Sequence, residues 1–416
     1  MDEARWIGPS LAAARPQALA ALVRYFRDLD LAEEAFQEAC LRALDAWPRS
    51  GPPRDPAAWL IFVARNAALD TVRRQARQAE LPPDGALADT ADAEAEMAER
   101  LDGSHYRDDV LRLLFICCHP ELPATQQIAL ALRIVSGLTV RQIAQAFLVS
   151  EAAMEQRITR AKARIAKARI VKAEGAFEAP GAVERAQRLG AVAAMIYLLF
   201  NEGYSAAGDT SAARQPLAEE AIRLARLLLR LFPAEPEIMG LAALMLLQHA
   251  RTAARFDRDG AVILLDQQDR GLWSRPMIAE GLALLDKAIR HHRPGPYQVQ
   301  AAIAALHARA ATPQDTDWAQ IDLLYGTLEI MQPSPVVTLN RAVAIAQLRG
   351  PEAALALLEK LAQPLAGYFH YHGVRGALLT QLQRPAEARE SFMMAISLAR
   401  TAAEAAHIRT HLDALQ

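Results

Sequence analysis

Cysteine is nearly absent: the 416 residues contain three, Cys40 and the adjacent pair Cys117 and Cys118. An odd count with two neighbours makes a poor disulfide framework, so a reducing cytoplasm is expected. Aromatic residues are scarce at 6%, and no stretch alternates β-branched and polar residues between hairpin turns, which argues against sheet. Long apolar runs are missing too. The longest, Leu189 to Phe200, is too short to span a bilayer, and the N-terminus lacks a basic segment followed by an apolar core, so neither export nor a membrane partner is expected. Neither a G-x-x-x-x-G-K phosphate loop nor a G-x-S-x-G elbow occurs, so no catalytic residues, cofactor or enzymatic activity are assigned. Cys117, Cys118 and His119 lack the C-x-x-C spacing and second ligand pair of a metal site; the pair is expected at a helix end in the core. His291 and His292, and likewise His370 and His372, have no third ligand at a recognisable spacing, and surface or packing roles are expected for them.

What is present is Ala and Leu, which supply most of the 52% apolar content and favour helix. The spacing predicts an all-α chain of several domains. A helical block over about 1–80 contains the turn-forming stretch WPRSGPPRDP from Trp47 to Pro56. An acidic linker follows over about 81–105; between Asp84 and Asp109 nine Asp or Glu residues face two Arg. The block over 106–172 ends strongly basic, with Arg157, Arg160, Lys162, Arg164, Lys167, Arg169 and Lys172 against Glu155. From 181 to 416 come Ala/Leu-rich helical patterns punctuated by proline. Within them, RAVAIAQLRGPEAAL from Arg341 repeats as RGALLTQLQRPAEAR from Arg375, an offset of 34 residues. That is the period of tetratricopeptide helix pairs, in which small residues such as Ala342 and Gly376 let helices approach closely. Residues 181–330 yield no alignable repeat.

LTVRQIAQAFLVSEAAMEQRITRAKARI reads as a helix-turn-helix. Gly137 ends one helix, Thr139 and Gln142 form a capping box for a short helix reaching about Phe147, and Ser150 caps a second. Inward spacing at Ala153 or Met154, Ile158, Ala161 and Ile165 leaves Glu151, Ala152, Glu155, Arg157, Arg160, Lys162 and Arg164 near the exposed sides. With Arg141 and Ser150 they form the candidate DNA-reading set, in which Arg and Lys serve charge neutralisation first. A solvated helical hairpin is the plainer alternative, and the concentration of positive charge on one helix disfavours it.

In the first block, DLDLAEEAFQEACLRAL places Leu31, Ala35, Ala39 and Ala43 inward with Phe36, Cys40 and Leu44 alongside. Its other face, with Asp30, Glu33, Glu34, Gln37, Glu38 and Asp45, is acidic and could dock on a basic partner. DPAAWLIFVARNAALDTVRRQARQ buries Trp59, Leu60, Val63 and Ala67. Its outer stripe carries Asn66, Asp70, Arg73 and Arg77, with Arg65 and Arg74 beside it, a set suited to bases and phosphates together.

These two blocks, in this order, resemble an extracytoplasmic-function sigma factor, a promoter-recognition subunit of RNA polymerase. DLDLAEEAFQEACLRALDAWP resembles the part of sigma region 2 that binds the polymerase clamp helices, and DPAAWLIFVARNAALDTVRR the part that recognises the minus-ten element. The helix-turn-helix resembles sigma region 4, which reads the minus-thirty-five element. The resemblance implies core RNA polymerase and promoter DNA as partners. Asp30, Glu33, Glu34, Gln37 and Glu38 would face the polymerase, and Arg65, Asn66, Asp70, Arg73 and Arg74 the minus-ten element. The Trp47 to Pro56 loop would help capture a flipped base. The C-terminal block, through MIYLLFNEGYSAA and the 34-residue repeat, resembles the tetratricopeptide-like tail of a sigma subgroup and implies a protein or peptide ligand. A polymerase-independent regulator built on the repeats would need neither the acidic helix nor the Asn/Asp/Arg stripe.

Overall fold

The structure, a computed structural model, describes residues 6–51, 53–77, 103–119, 121–147, 149–167, 182–204, 211–257, 262–399 and 402–415. Among these residues the chain is all-α, as its composition predicts, with a single isolated β-bridge between Phe256 and Val262. They fall into two compact units, 1–198 and 199–416.

The first unit starts with three helices, α1 (Ile7–Phe26), α2 (Leu29–Ser50) and α3 (Pro56–Arg77), each packed on the other two. Arg27, at φ 52°, breaks α1 from α2, and the Asp28 carboxylate caps α2 by accepting from the backbone N–H groups of Asp30 and Leu31 at 3.0 and 3.1 Å. Asp55 does the same for α3 through Ala57 and Ala58. The expected loop from Trp47 is shorter: α2 continues through Ser50 with Pro48 inside it, and Trp47 is buried, stacked on Trp6 and edge-on to Trp59. Burying about 200 Å² of indole contributes about 5 kcal/mol, which outweighs the ~3 kcal/mol cost of a proline within a helix. Gly51, at φ 77°, follows α2, and α3 begins at Pro56.

The expected acidic linker lies outside the described residues up to 102. Helix α4 (Gly103–Cys117) packs on α1. After it come α5 (Ala124–Ile134), α6 (Val140–Ala146) and α7 (Glu151–Lys167). Cys117 and Cys118 are buried at the end of α4, and burial pushes the Cys118 thiol up to about 12.

Helix α8 (Ala182–Tyr204) runs across the division between units. In the second unit, α9 (Ser211–Leu231) precedes α10 (Pro236–His249), which is apolar on every side and accordingly buried on every side. It packs on both α11 (Arg275–Ile289) and α12 (Pro296–Arg309), and so closely at Gly240 that a Cβ there would lie 2.7 Å from the Gln298 backbone nitrogen. Helices α13 (Trp318–Met331), α14 (Pro335–Arg349), α15 (Pro351–Glu359), α16 (Phe369–Gln381), α17 (Pro385–Leu398) and α18 (Ala402–Asp413) then each pack on the next. The 34-residue repeat corresponds to α14–α15 and α16–α17. Pro351 and Pro385 start the second helix of each pair, and Ala354 and Ala388 are fully buried. Gly376 is a close-approach position, since a Cβ there would meet the Phe392 ring at 2.5 Å.

Candidate nucleic-acid and partner-binding surfaces

The helix-turn-helix is built from local signals. The Thr139 hydroxyl accepts from the Gln142 backbone at 3.2 Å and the Gln142 side chain accepts from the Thr139 backbone at 2.9 Å, a complete capping box. The Val149 backbone N–H donates to the Ala144 carbonyl at 3.1 Å across the turn. The Ser150 hydroxyl accepts from the Ala153 backbone at 3.2 Å and starts α7. Met154, Ile158, Ala161 and Ile165 are buried, while Ala153 is exposed, so Met154 is the inward residue of that pair. Arg141, Ser150, Glu151, Ala152, Glu155, Arg160 and Arg164 are exposed and Arg157 is half-buried. This face could grip a phosphate backbone.

Lys162 departs from the expected pattern. Its side chain is 22% exposed, and its ammonium bonds Asp30 at 2.6 Å and Glu33 at 2.9 Å, both on α2. Burial lowers its pKa, but the hydrogen bonds to Asp30 and Glu33 more than offset this and leave the pKa raised, so the lysine is cationic. Glu33 departs with it. Expected on the acidic outer face, it is buried and also faces Arg15 at 3.5 Å and Arg133 at 3.4 Å. The Arg15 guanidinium, over the Phe36 ring, further donates to the carbonyls of Ile134 at 2.9 Å and Arg133 at 3.2 Å. Gly137, at φ 74°, closes over it, and a Cβ there would lie 2.8 Å from the Arg15 Cδ. Three cations from α1, α5 and α7 thus converge on one carboxylate of α2, a buried charge made tolerable by its partners. Arg24 of α1 and Asp109 of α4 add a second link at 3.3 Å.

The α2 face that remains exposed is acidic and apolar together. Glu34, Gln37, Glu38 and Asp45 lie outward as expected, but so do Leu31, Leu41 and Leu44, at 42%, 63% and 53% exposure. Inward placement of Leu31 and Leu44 is therefore corrected: Leu29, Ala32, Ala35, Phe36, Ala39 and Ala43 form the seam. On α3, Leu60 and Ala67 are buried, whereas Trp59 and Val63 are only half-buried. Asn66 is exposed and the Arg65 guanidinium lies over the Tyr25 ring at 4.2 Å. Asp70, Arg73 and Arg74 follow on the same helix, with side chains outside the described residues.

Comparison with known families matches these two surfaces separately. Residues 11–78 match the family model of Sigma-70 region 2, and residues 112–165 that of Sigma-70, region 4. The chain belongs to the extracytoplasmic-function sigma factors. This sigma factor also matches a family of unknown function, DUF6596, over residues 188–289. An uncharacterized protein of Rhizobium meliloti (strain 1021) is 68% identical over 415 residues, covering 100% of this chain and 97% of its own. Sigma factors serve transcription initiation and are not enzymes; their partners are core RNA polymerase and promoter DNA. Among the described residues, no helix is long and apolar enough to cross a membrane.

Sequence reasoning missed Arg15 and Arg133. The available signal was Arg15 itself, a lone cation in the Ala-rich stretch LAAARPQALAALV.

Proposed function

We propose that this sigma factor acts in the cytoplasm, docking on core RNA polymerase through the exposed α2 face of Glu34, Gln37, Glu38, Leu41 and Leu44. Arg65, Asn66, Asp70, Arg73 and Arg74 of α3 read and open the minus-ten element. Arg141, Ser150, Glu151, Ala152, Glu155, Arg157, Arg160 and Arg164 contact the minus-thirty-five element. The observation that carries this reading is the capped helix-turn-helix, whose exposed side holds the cations while its apolar residues face inward. The C-terminal helical-repeat domain binds a protein or peptide segment that adjusts initiation.

The contact between Lys162 and Glu33 adds a requirement. The two promoter elements lie about 25 base pairs apart, or about 85 Å along B-DNA at about 3.4 Å per pair. With Lys162 of α7 bonded to Glu33 of α2 at 2.9 Å, the two regions do not reach both. We therefore propose that the α2–α7 contact opens when polymerase and promoter bind, releasing Asp30 and Glu33 and freeing Lys162 for phosphate. The test is promoter-specific transcription by core polymerase with the full chain and with a chain ended after Lys172. Specific initiation by either form supports the reading, and the ratio between them gives the sign of the tail's effect. Absence of polymerase binding by both overturns it.

A further inference from the structure

The second unit contains a cavity of about 340 Å³ that the sigma reading leaves unused. It lies among the segment 264–270 and helices α12, α13 and α14, within the ~300–1,000 Å³ range of ligand pockets. Trp318, Ile321 and Tyr325 supply an apolar and aromatic wall. Two of its polar side chains are unemployed: the amides of Asn340 and Gln347 make no hydrogen bond with any described residue.

Those two amides are spaced for a particular occupant. Asn340 and Gln347, both exposed, stand two turns apart on α14, about 10.5 Å at ~1.5 Å per residue, with exposed Val343 between them. Three residues of extended chain cover about 10 Å at ~3.3 Å each. A side-chain amide offers both a donor and an acceptor, the same pair that a peptide unit presents. A strand laid along α14 would therefore meet an amide at each end and an apolar contact between.

Charge sets the polarity of the other end. The Arg270 Nη1 donates to the carbonyls of His307 and Ala310 at 2.7 and 2.6 Å, which fixes the guanidinium in the cavity wall. It forms no ion pair with any described carboxylate. His307 is pushed down to about 4 by burial and, after it, by the cations Arg251 and Arg270, so its imidazole is neutral at neutral pH. Asp266 is the acid on the rim, and it too makes no ion pair with a described residue.

We infer that this groove binds an extended peptide segment, with its backbone on Asn340 and Gln347 and an acidic side chain at Arg270. The inference rests on the peptide-binding reading of the repeat domain and is independent of polymerase binding. A random dodecapeptide display library selected on the full chain provides the probe. The enriched peptide, labelled with fluorescein, is then measured by polarisation. Enrichment of sequences carrying Asp or Glu is expected, with Asn340→Ala and Gln347→Ala each weakening the probe about tenfold, the worth of one hydrogen bond. Changing the probe's acidic residue to its amide should weaken it similarly. Both variants remove exposed side chains that bond nothing in the fold, and an unchanged Tm confirms their integrity. Failure of any peptide to enrich, or equal affinity for the Asn340→Ala/Gln347→Ala double variant, overturns the inference. So does succinate binding at these residues where no peptide binds. Transcription is not read, so a failed sigma assignment would leave this result standing.

Discussion

Glu33 and Asp322 are both buried carboxylates held by more than one cation, yet they serve opposite ends. Asp322, on α13, takes Arg341 at 2.7 Å and Arg349 at 3.2 Å from the adjoining α14, and Arg341 also reaches Glu329 at 2.7 Å. All of these partners lie within two successive helices, so the network stiffens one hairpin of a stack. Glu33 draws partners from positions 15, 133 and 162, joining segments that match two separate sigma regions. A charge network within one hairpin has nothing to release. One between separately matched regions can release Lys162 and Arg133 from Glu33 while Arg15 stays beside it, the exchange proposed above.

The largest expected effect sharpens this division of labour. Arg73→Glu with Arg74→Glu should abolish promoter opening, measured by permanganate footprinting, while polymerase binding persists. Arg389→Glu with Arg409→Glu, an equal charge change on exposed positions of the second unit, should leave opening intact. Loss of opening in both would erase the contrast.

Next in size is Glu33→Gln against Asp322→Asn. Removing one partner of a buried pair leaves the others uncompensated, at about 3–5 kcal/mol. Urea unfolding should show a loss of that order for both. Only Glu33→Gln should also lengthen the distance between fluorophores placed on α3 and α7. An unchanged distance would mean that the contact does not hold the two regions together.

Acid should act on the second unit through His307. Its folded pKa of about 4 lies below the ordinary 6.5, so the unfolded chain binds the proton first. Stability is therefore full above pH 6.5 and is lost as pH falls toward 4, by up to about 3 kcal/mol. His249, His370 and His407 are also lowered by burial and act in the same direction. His307→Gln should flatten the decline in Tm over that interval; an undiminished slope would assign it to the other histidines. The smallest effect is Ser150→Ala, which removes one cap worth about 1 kcal/mol. It should weaken binding to a minus-thirty-five duplex a few-fold and leave peptide binding by the second unit untouched.

The caps and apolar spacing of the helix-turn-helix were legible because each of these signals acts within four positions. Thr139 and Gln142 cap each other, Ser150 caps α7, and a 3.6-residue period selects Met154, Ile158, Ala161 and Ile165. The face of α2 was not legible to the same degree. Adjacent residues differ by about 100° around a helix, so spacing fixes the middle of a buried stripe but not how wide it is, and edge positions such as Leu31, Glu33 and Leu44 depend on what packs there. Ala35, Phe36, Ala39 and Ala43 face inward as the spacing predicts, but Leu31 and Leu44, at opposite edges of that stripe, are exposed, and Glu33 is buried where Arg15, Arg133 and Lys162 meet it. The groove beside α14 was likewise beyond local reading, because its walls come from segments far apart in the chain.

By itself, then, the sequence determined the helical class, the two sigma motifs and the 34-residue repeat, since periodicity, caps and proline placement are properties of neighbours along the chain. The tertiary structure alone decided that Glu33 and Lys162 meet, that Trp47 prolongs α2 over a proline, and that Asn340 and Gln347 flank a cavity. A buried charge, an indole seated between two others and a groove each depend on atoms supplied by distant segments. No short-range pattern specifies where those segments come to rest.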